Sequence, residues 1–86
     1  MVTFSYKIKD AHGIHARPAG LLAKLAQEFE DTVITLHKDG KSARLDRVLM
    51  LMGLGVREGD EVTVAAEGKN EEEAARRAEE FFRENL

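Results

Sequence analysis

The chain has 86 residues, 43% hydrophobic and 34% charged, with no cysteine and a formal net charge of -3 from 13 basic and 16 acidic side chains. That length supports one domain over residues 1–86 with a thin two-layer core, and the lack of cysteine excludes disulfides, thiolate catalysis and Cys-based metal sites. The acidic balance speaks against nucleic acid, no apolar run approaches the roughly 20 residues of a membrane span, and the start lacks a signal-peptide pattern, so we expect a cytoplasmic protein with no direct membrane insertion.

Residues 3–8 alternate, with Phe4, Tyr6 and Ile8 on one side, and predict a half-buried strand. Asp10 to Gly13 read as a turn. From His15 the period changes, and Leu22, Leu25, Ala26 and Phe29 fall on one helical face. A second strand is predicted at Thr32–His37, a hairpin turn at Asp39-Gly40, and a short return strand at Ser42–Leu45. The run Val48–Met52, closed by Gly53 and Gly55, predicts a short helix with an apolar surface. Glu61–Ala66 is the last strand. Asn70 reads as an N-cap with Glu73 completing a capping box, and Ala74, Ala75, Ala78, Phe81 and Phe82 form the buried face of a final helix. The order β-α-β-β-α-β-α belongs to the α+β class, with helices on one face of a mostly antiparallel sheet.

The segment Gly13-Ile14-His15-Ala16-Arg17-Pro18-Ala19 carries the chemistry. With His15 as N-cap, the first amides of the helix have no internal acceptor, and the helix dipole adds positive potential there. An anion over the helix start is therefore favoured, as is a neutral, nucleophilic imidazole. A phosphate on His15 would meet the N–H groups of Ala16 and Arg17, and the Arg17 guanidinium adds charge-assisted bonds. Phosphoryl transfer depends mainly on positioning and charge stabilisation, so no cofactor and no metal are called for. Pro18 gives up an amide that had no partner in any case. A bare cap or surface histidine is the plain alternative.

With Lys41-Ser42-Ala43, Met52-Gly53-Leu54-Gly55-Val56 and Ala66-Glu67-Gly68, this motif resembles the histidine-containing phosphocarrier (HPr) family of the bacterial phosphoenolpyruvate-dependent sugar phosphotransferase system. The resemblance covers nearly the whole chain. It implies an open-faced β-sandwich with a four-stranded antiparallel sheet in the order 1-4-2-3. It implies a carrier with a transient phosphohistidine rather than a stand-alone enzyme, loaded on Nδ1 of His15 by enzyme I and unloaded to sugar-specific enzyme IIA. Arg17 matches the family's phosphate-stabilising arginine. The family's docking surface maps onto Gly20, Leu21, Lys24, Val48, Leu49 and Met52, and a monomer is expected.

Two departures stand out. Where many relatives carry a regulatory serine opening the short helix, this chain has Asp46 or Arg47, depending on the alignment, and no hydroxyl. Asp46 reads either as a stand-in for phosphoserine charge or as a plain helix-start carboxylate. His12 replaces a small polar residue and is read as an exposed loop residue, with tuning of His15 as the alternative. His12, His15 and His37 do not make a convincing metal set, because His37 lies on a strand. Met50 is assigned to the core and Met52 to partner contact. Two other readings stay open: a regulatory or partner-binding module of the same fold, and a redesigned stable version, neither relaying phosphate.

Overall fold

The structure, a computed structural model, describes all residues from Met1 to Leu86. In chain order the elements are β1 (Val2–Lys7), α1 (Ala16–Gln27), β2 (Thr32–Lys38), β3 (Lys41–Arg44), α2 (Val48–Gly53), β4 (Glu61–Gly68) and α3 (Glu71–Asn85). The strands form one antiparallel sheet in the order β1-β4-β2-β3. The predicted class, element order and strand order are all present, with boundaries moved by one or two residues.

Strand period separates the two faces of the sheet. In one row across all four strands, Phe4, Val64, Leu36 and Ala43 lie side by side and point into the core. The next row, Ser5, Thr63, His37 and Ser42, turns to solvent. The polar side chains of that second row leave the sheet uncovered on one face, while the helices bury the other. Asp39 and Gly40 both hold positive φ (50° and 81°), the type I′ geometry whose twist suits two adjoining strands.

α3 packs through Ala74, Ala75, Ala78 and Phe82, with Phe81 only half-buried. Three alanines bring the helix close to the sheet. Phe82 then fills the space beyond them, edge-on to Phe4 (5.8 Å) and Tyr6 (5.7 Å).

The predicted capping box does not form. Asn70 occupies the N-cap position, but its side chain makes no capping bond, and Glu73 pairs with Arg76. The Asn70 amide donates instead to the Thr32 hydroxyl across the sheet at 3.1 Å. With ψ at 40° rather than extended, the Asn70 side chain is not aimed along the helix. Thr32, otherwise buried, is therefore the helix anchor. We predict that Thr32→Val lowers stability by about 0.5–1.5 kcal/mol in denaturant titration, because it removes the buried hydroxyl that accepts the Asn70 amide. A change under about 0.5 kcal/mol would show that water replaces the hydroxyl.

Candidate functional site

β1 leads through the buried Ile8 into a tight turn. The Asp10 carboxylate accepts the His12 amide at 2.8 Å, and the Asp10 carbonyl accepts the Gly13 amide at 3.1 Å. Gly13 holds φ at 61°, and a Cβ there would lie 2.2 Å from the Val56 carbonyl oxygen. Only glycine permits both the conformation and the approach. Ile14 then donates to that same Val56 oxygen at 3.2 Å and buries its side chain. The residue before His15 is thus fixed from two sides.

His15 is extended (φ −119°, ψ −172°) and is the N-cap of α1, as predicted. Its carbonyl accepts the Ala19 amide at 3.0 Å, while its half-buried side chain makes no capping bond. The amides of Ala16 and Arg17 have no acceptor within the protein. They are donors at the positive end of a twelve-residue helix, the feature that favours an anion.

A shallow depression of about 210 Å³ lies over this helix start, lined by His15, Arg17, Pro18 and Leu21 with Asp10 and Glu84 at its edge. The end of α3 reaches it because the backbone oxygen of Leu86 accepts the amides of Lys9 and Asp10. Arg17 has no ion-pair partner in the fold, so its guanidinium is available to a ligand. Asp10 and Glu84 oppose a bound anion, which limits how tightly the depression can hold one. His12 is exposed, as expected, yet its ring sits edge-to-face with His15 at 5.6 Å between centroids. The local sequence held a signal for this. Asp10 two residues before His12 makes an Asx turn that folds the loop back toward the helix. Glu84 left no such signal, since it arrives from the far end of the chain.

Gly20, Leu21 and Lys24 are exposed on α1, and Leu49 and Met52 are exposed on the adjoining α2 with Val48 half-buried between layers. Leu49 is the most exposed large apolar side chain, at 83%. Met50 is 60% exposed, so its assignment to the core is corrected: only Leu51 of α2 is buried. One buried position in a six-residue helix cannot fix its apolar face from periodicity.

Arg47, not Asp46, is the N-cap of α2. The Asp46 carboxylate is held by Arg44 through two bonds, at 3.1 and 2.9 Å, with Arg47 at 3.8 Å. Its charge is matched locally, and the helix-opening position carries a cation. Asp46 therefore does not present a free negative charge there. His37 lies on the open face and bonds the Thr35 hydroxyl at 3.0 Å, away from the other two histidines. No three potential metal ligands are gathered anywhere in the chain.

Comparison with known proteins agrees with this geometry. The family model described as "PTS HPr component phosphorylation site" matches residues 2–84. The "Phosphocarrier protein HPr" of Mycoplasma genitalium is 40% identical over 74 residues, covering 86% of this chain and 84% of that protein. The crystal structure of HPr-C-His from Thermoanaerobacter tengcongensis superposes with a TM-score of 0.90 at 35% identity, over 96% of this chain and 92% of that one. The Bacillus subtilis catabolite repression containing protein Crh, described as a swapped dimer, gives 0.78 at 34% identity over 100% and 98%. From the His15 helix start, the open-faced sheet and a family match running almost from end to end, the chain belongs to the HPr phosphocarrier family of the phosphotransferase system.

Proposed function

We propose that this chain, acting as one HPr-like domain, accepts a phosphoryl group from enzyme I on His15 and passes it to sugar-specific enzyme IIA. The observation that carries the reading is a half-buried His15 at a helix start where the amides of Ala16 and Arg17 have no acceptor and the Arg17 guanidinium, lining the same depression, has no ion-pair partner. On loading, the bond from phosphorus to enzyme I breaks as the bond to the His15 nitrogen forms. On unloading, the nitrogen–phosphorus bond breaks as phosphorus bonds to enzyme IIA. Only the phosphoryl group moves between proteins, and the carrier returns unchanged. A site with three donors and two opposing carboxylates suits a group that must be held and then released.

The test is incubation with enzyme I and labelled phosphoenolpyruvate. Acid-labile, base-stable label on His15, discharged by enzyme IIA, supports the reading. An unlabelled protein beside a competent control carrier sinks it.

Docking by Gly20, Leu21, Lys24, Val48, Leu49 and Met52 is part of the same proposal, and Met50 extends the patch round α2. Leu49 makes little contact within the fold, so its replacement isolates the interface. We predict that Leu49→Ser raises the KM of enzyme I for this carrier roughly fivefold to tenfold with kcat unchanged, as loss of a buried interface anchor does. An unchanged KM would remove Leu49 from the docking surface. The likeness to Crh, described as a catabolite repression containing protein, motivates a second reading, a regulatory partner-binding module of the same fold. Under that reading, binding persists in His15→Ala and no label is taken up.

A further inference from the structure

Lys38 closes β2 and stands opposite Lys41 across the hairpin, yet only 16% of its side chain is exposed. Its ammonium lies 2.9 Å from the Gly55 carbonyl oxygen and 2.9 Å from an Asp60 carboxylate oxygen. That same carboxylate oxygen accepts the Arg57 amide at 2.8 Å. These bonds grip the segment 55–60, which leaves α2 and turns back to β4. The segment is also tied to the end of β1, because Ile8 donates to the Asp60 carbonyl at 2.9 Å and Gly59 donates to the Ile8 carbonyl at 2.8 Å.

This segment forms the floor under the site. Its Val56 carbonyl receives the Ile14 amide and is the group that Gly13 alone has room to approach. Gly55 lies just past the end of α2, where a cation complements the helix dipole. One ammonium therefore connects the loop before His15 to the helix that displays Leu49 and Met52.

We infer that Lys38, together with Asp60, is a positioning pair for His15, setting the height of the Val56 carbonyl on which Gly13 and Ile14 rest. The inference builds on the phosphocarrier reading above. Neither residue lines the depression; both act through Val56 and Ile14. An isolated exposed ion pair contributes little, but here removing the ammonium also takes the donor from the Gly55 carbonyl. The Lys38 ammonium and the Arg57 amide hold the Asp60 carboxyl below its ordinary range.

The experiment uses the full chain. Lys38→Met keeps the stem and loses the ammonium, Lys38→Arg keeps a cation, and Lys41→Met removes the same charge from the facing hairpin residue. Amide hydrogen exchange at Ile14 and enzyme I kinetics are measured for each. In Lys38→Met, Ile14 exchange speeds roughly tenfold relative to the β4 core amides. Its kcat falls about tenfold while KM stays within about twofold, the pattern of a misplaced reacting group. Lys38→Arg restores most of both, and Lys41→Met changes neither.

The inference is overturned if Ile14 exchange is unaltered in Lys38→Met, if exchange speeds with no fall in kcat, or if Lys41→Met behaves like Lys38→Met. Should Lys38→Met fail to fold, Asp60→Asn supplies the same comparison, since it keeps an acceptor for the Arg57 amide. Exchange needs no phosphoryl donor. A wild-type chain that takes no label would therefore sink the carrier reading while Ile14 exchange still judges the floor.

Discussion

We expect His15→Ala to abolish phosphoryl uptake while leaving the fold intact. The fold survives because of how the cap is built. The His15 side chain makes no capping bond, so its truncation removes no hydrogen bond from the helix start, and we expect the change in stability to stay within about 0.5 kcal/mol. The backbone contribution, the His15 carbonyl accepting from Ala19, is retained by alanine. Any loss of label is therefore a loss of the acceptor nitrogen and not of the protein. His12 sharpens the measurement, because a second imidazole lies 5.6 Å away and would be the obvious substitute. It does not sit at the helix start, however, and has neither the Ala16 nor the Arg17 amide against it. We expect no label on His12 in the variant. Mapping label to His12 in His15→Ala would mean that the depression, and not the helix cap, selects the acceptor. Label retained at full level in the variant would exclude His15 altogether.

The elements that local pattern specifies are legible in the sequence. Phe4 and Tyr6 alternate on one face, Asp39-Gly40 supplies two positive φ angles in succession, and the three- and four-residue spacing of Leu22 and Leu25 places α1 on the sheet. Each of these depends on residues close together in the chain. What escaped depends on distant partners. Asn70 and Glu73 satisfy the spacing of a capping box, but Thr32, 38 residues away, takes the Asn70 amide first. Met50 looked like core because its neighbours are apolar, whereas α2 is too short to bury more than Leu51.

The same division runs through the site. The placement of His15 and Arg17 at the start of α1, after a tight turn at Gly13, is legible because a helix start is marked by its own first residues. The floor beneath them is not. Lys38 and Asp60 lie far apart in sequence and meet only after the sheet has formed, and nothing in their immediate neighbours marks either as more than a surface charge. Asp46 and Arg47 show a third case, in which the residue types were visible and the register was not. One residue of shift decides whether an anion or a cation opens α2, and the helix boundary places Arg47 there.

Arg17→Ala separates holding the phosphoryl group from accepting it. Arg17 is exposed in the second position of α1 and pairs with no carboxylate, so alanine there removes no structural contact and favours the helix slightly. The amides of Ala16 and residue 17 remain, and with them the dipole. What disappears is the guanidinium that, on the proposed function, would add charge-assisted bonds to a phosphoryl group on His15. Removing a comparable donor costs roughly a hundredfold to a thousandfold in rate, and we expect transfer through Arg17→Ala to fall about a hundredfold. The loss should appear in kcat and not in KM, because docking falls to the apolar patch. Lysine at this position keeps the charge but not the planar fork, so Arg17→Lys should recover only part of the rate. Label should still reach His15 in Arg17→Ala, given time, since the acceptor is untouched. If transfer through Arg17→Ala ran within about twofold of the unaltered chain, the two amides and the helix dipole would carry the stabilisation by themselves, and the guanidinium would be a solvated bystander.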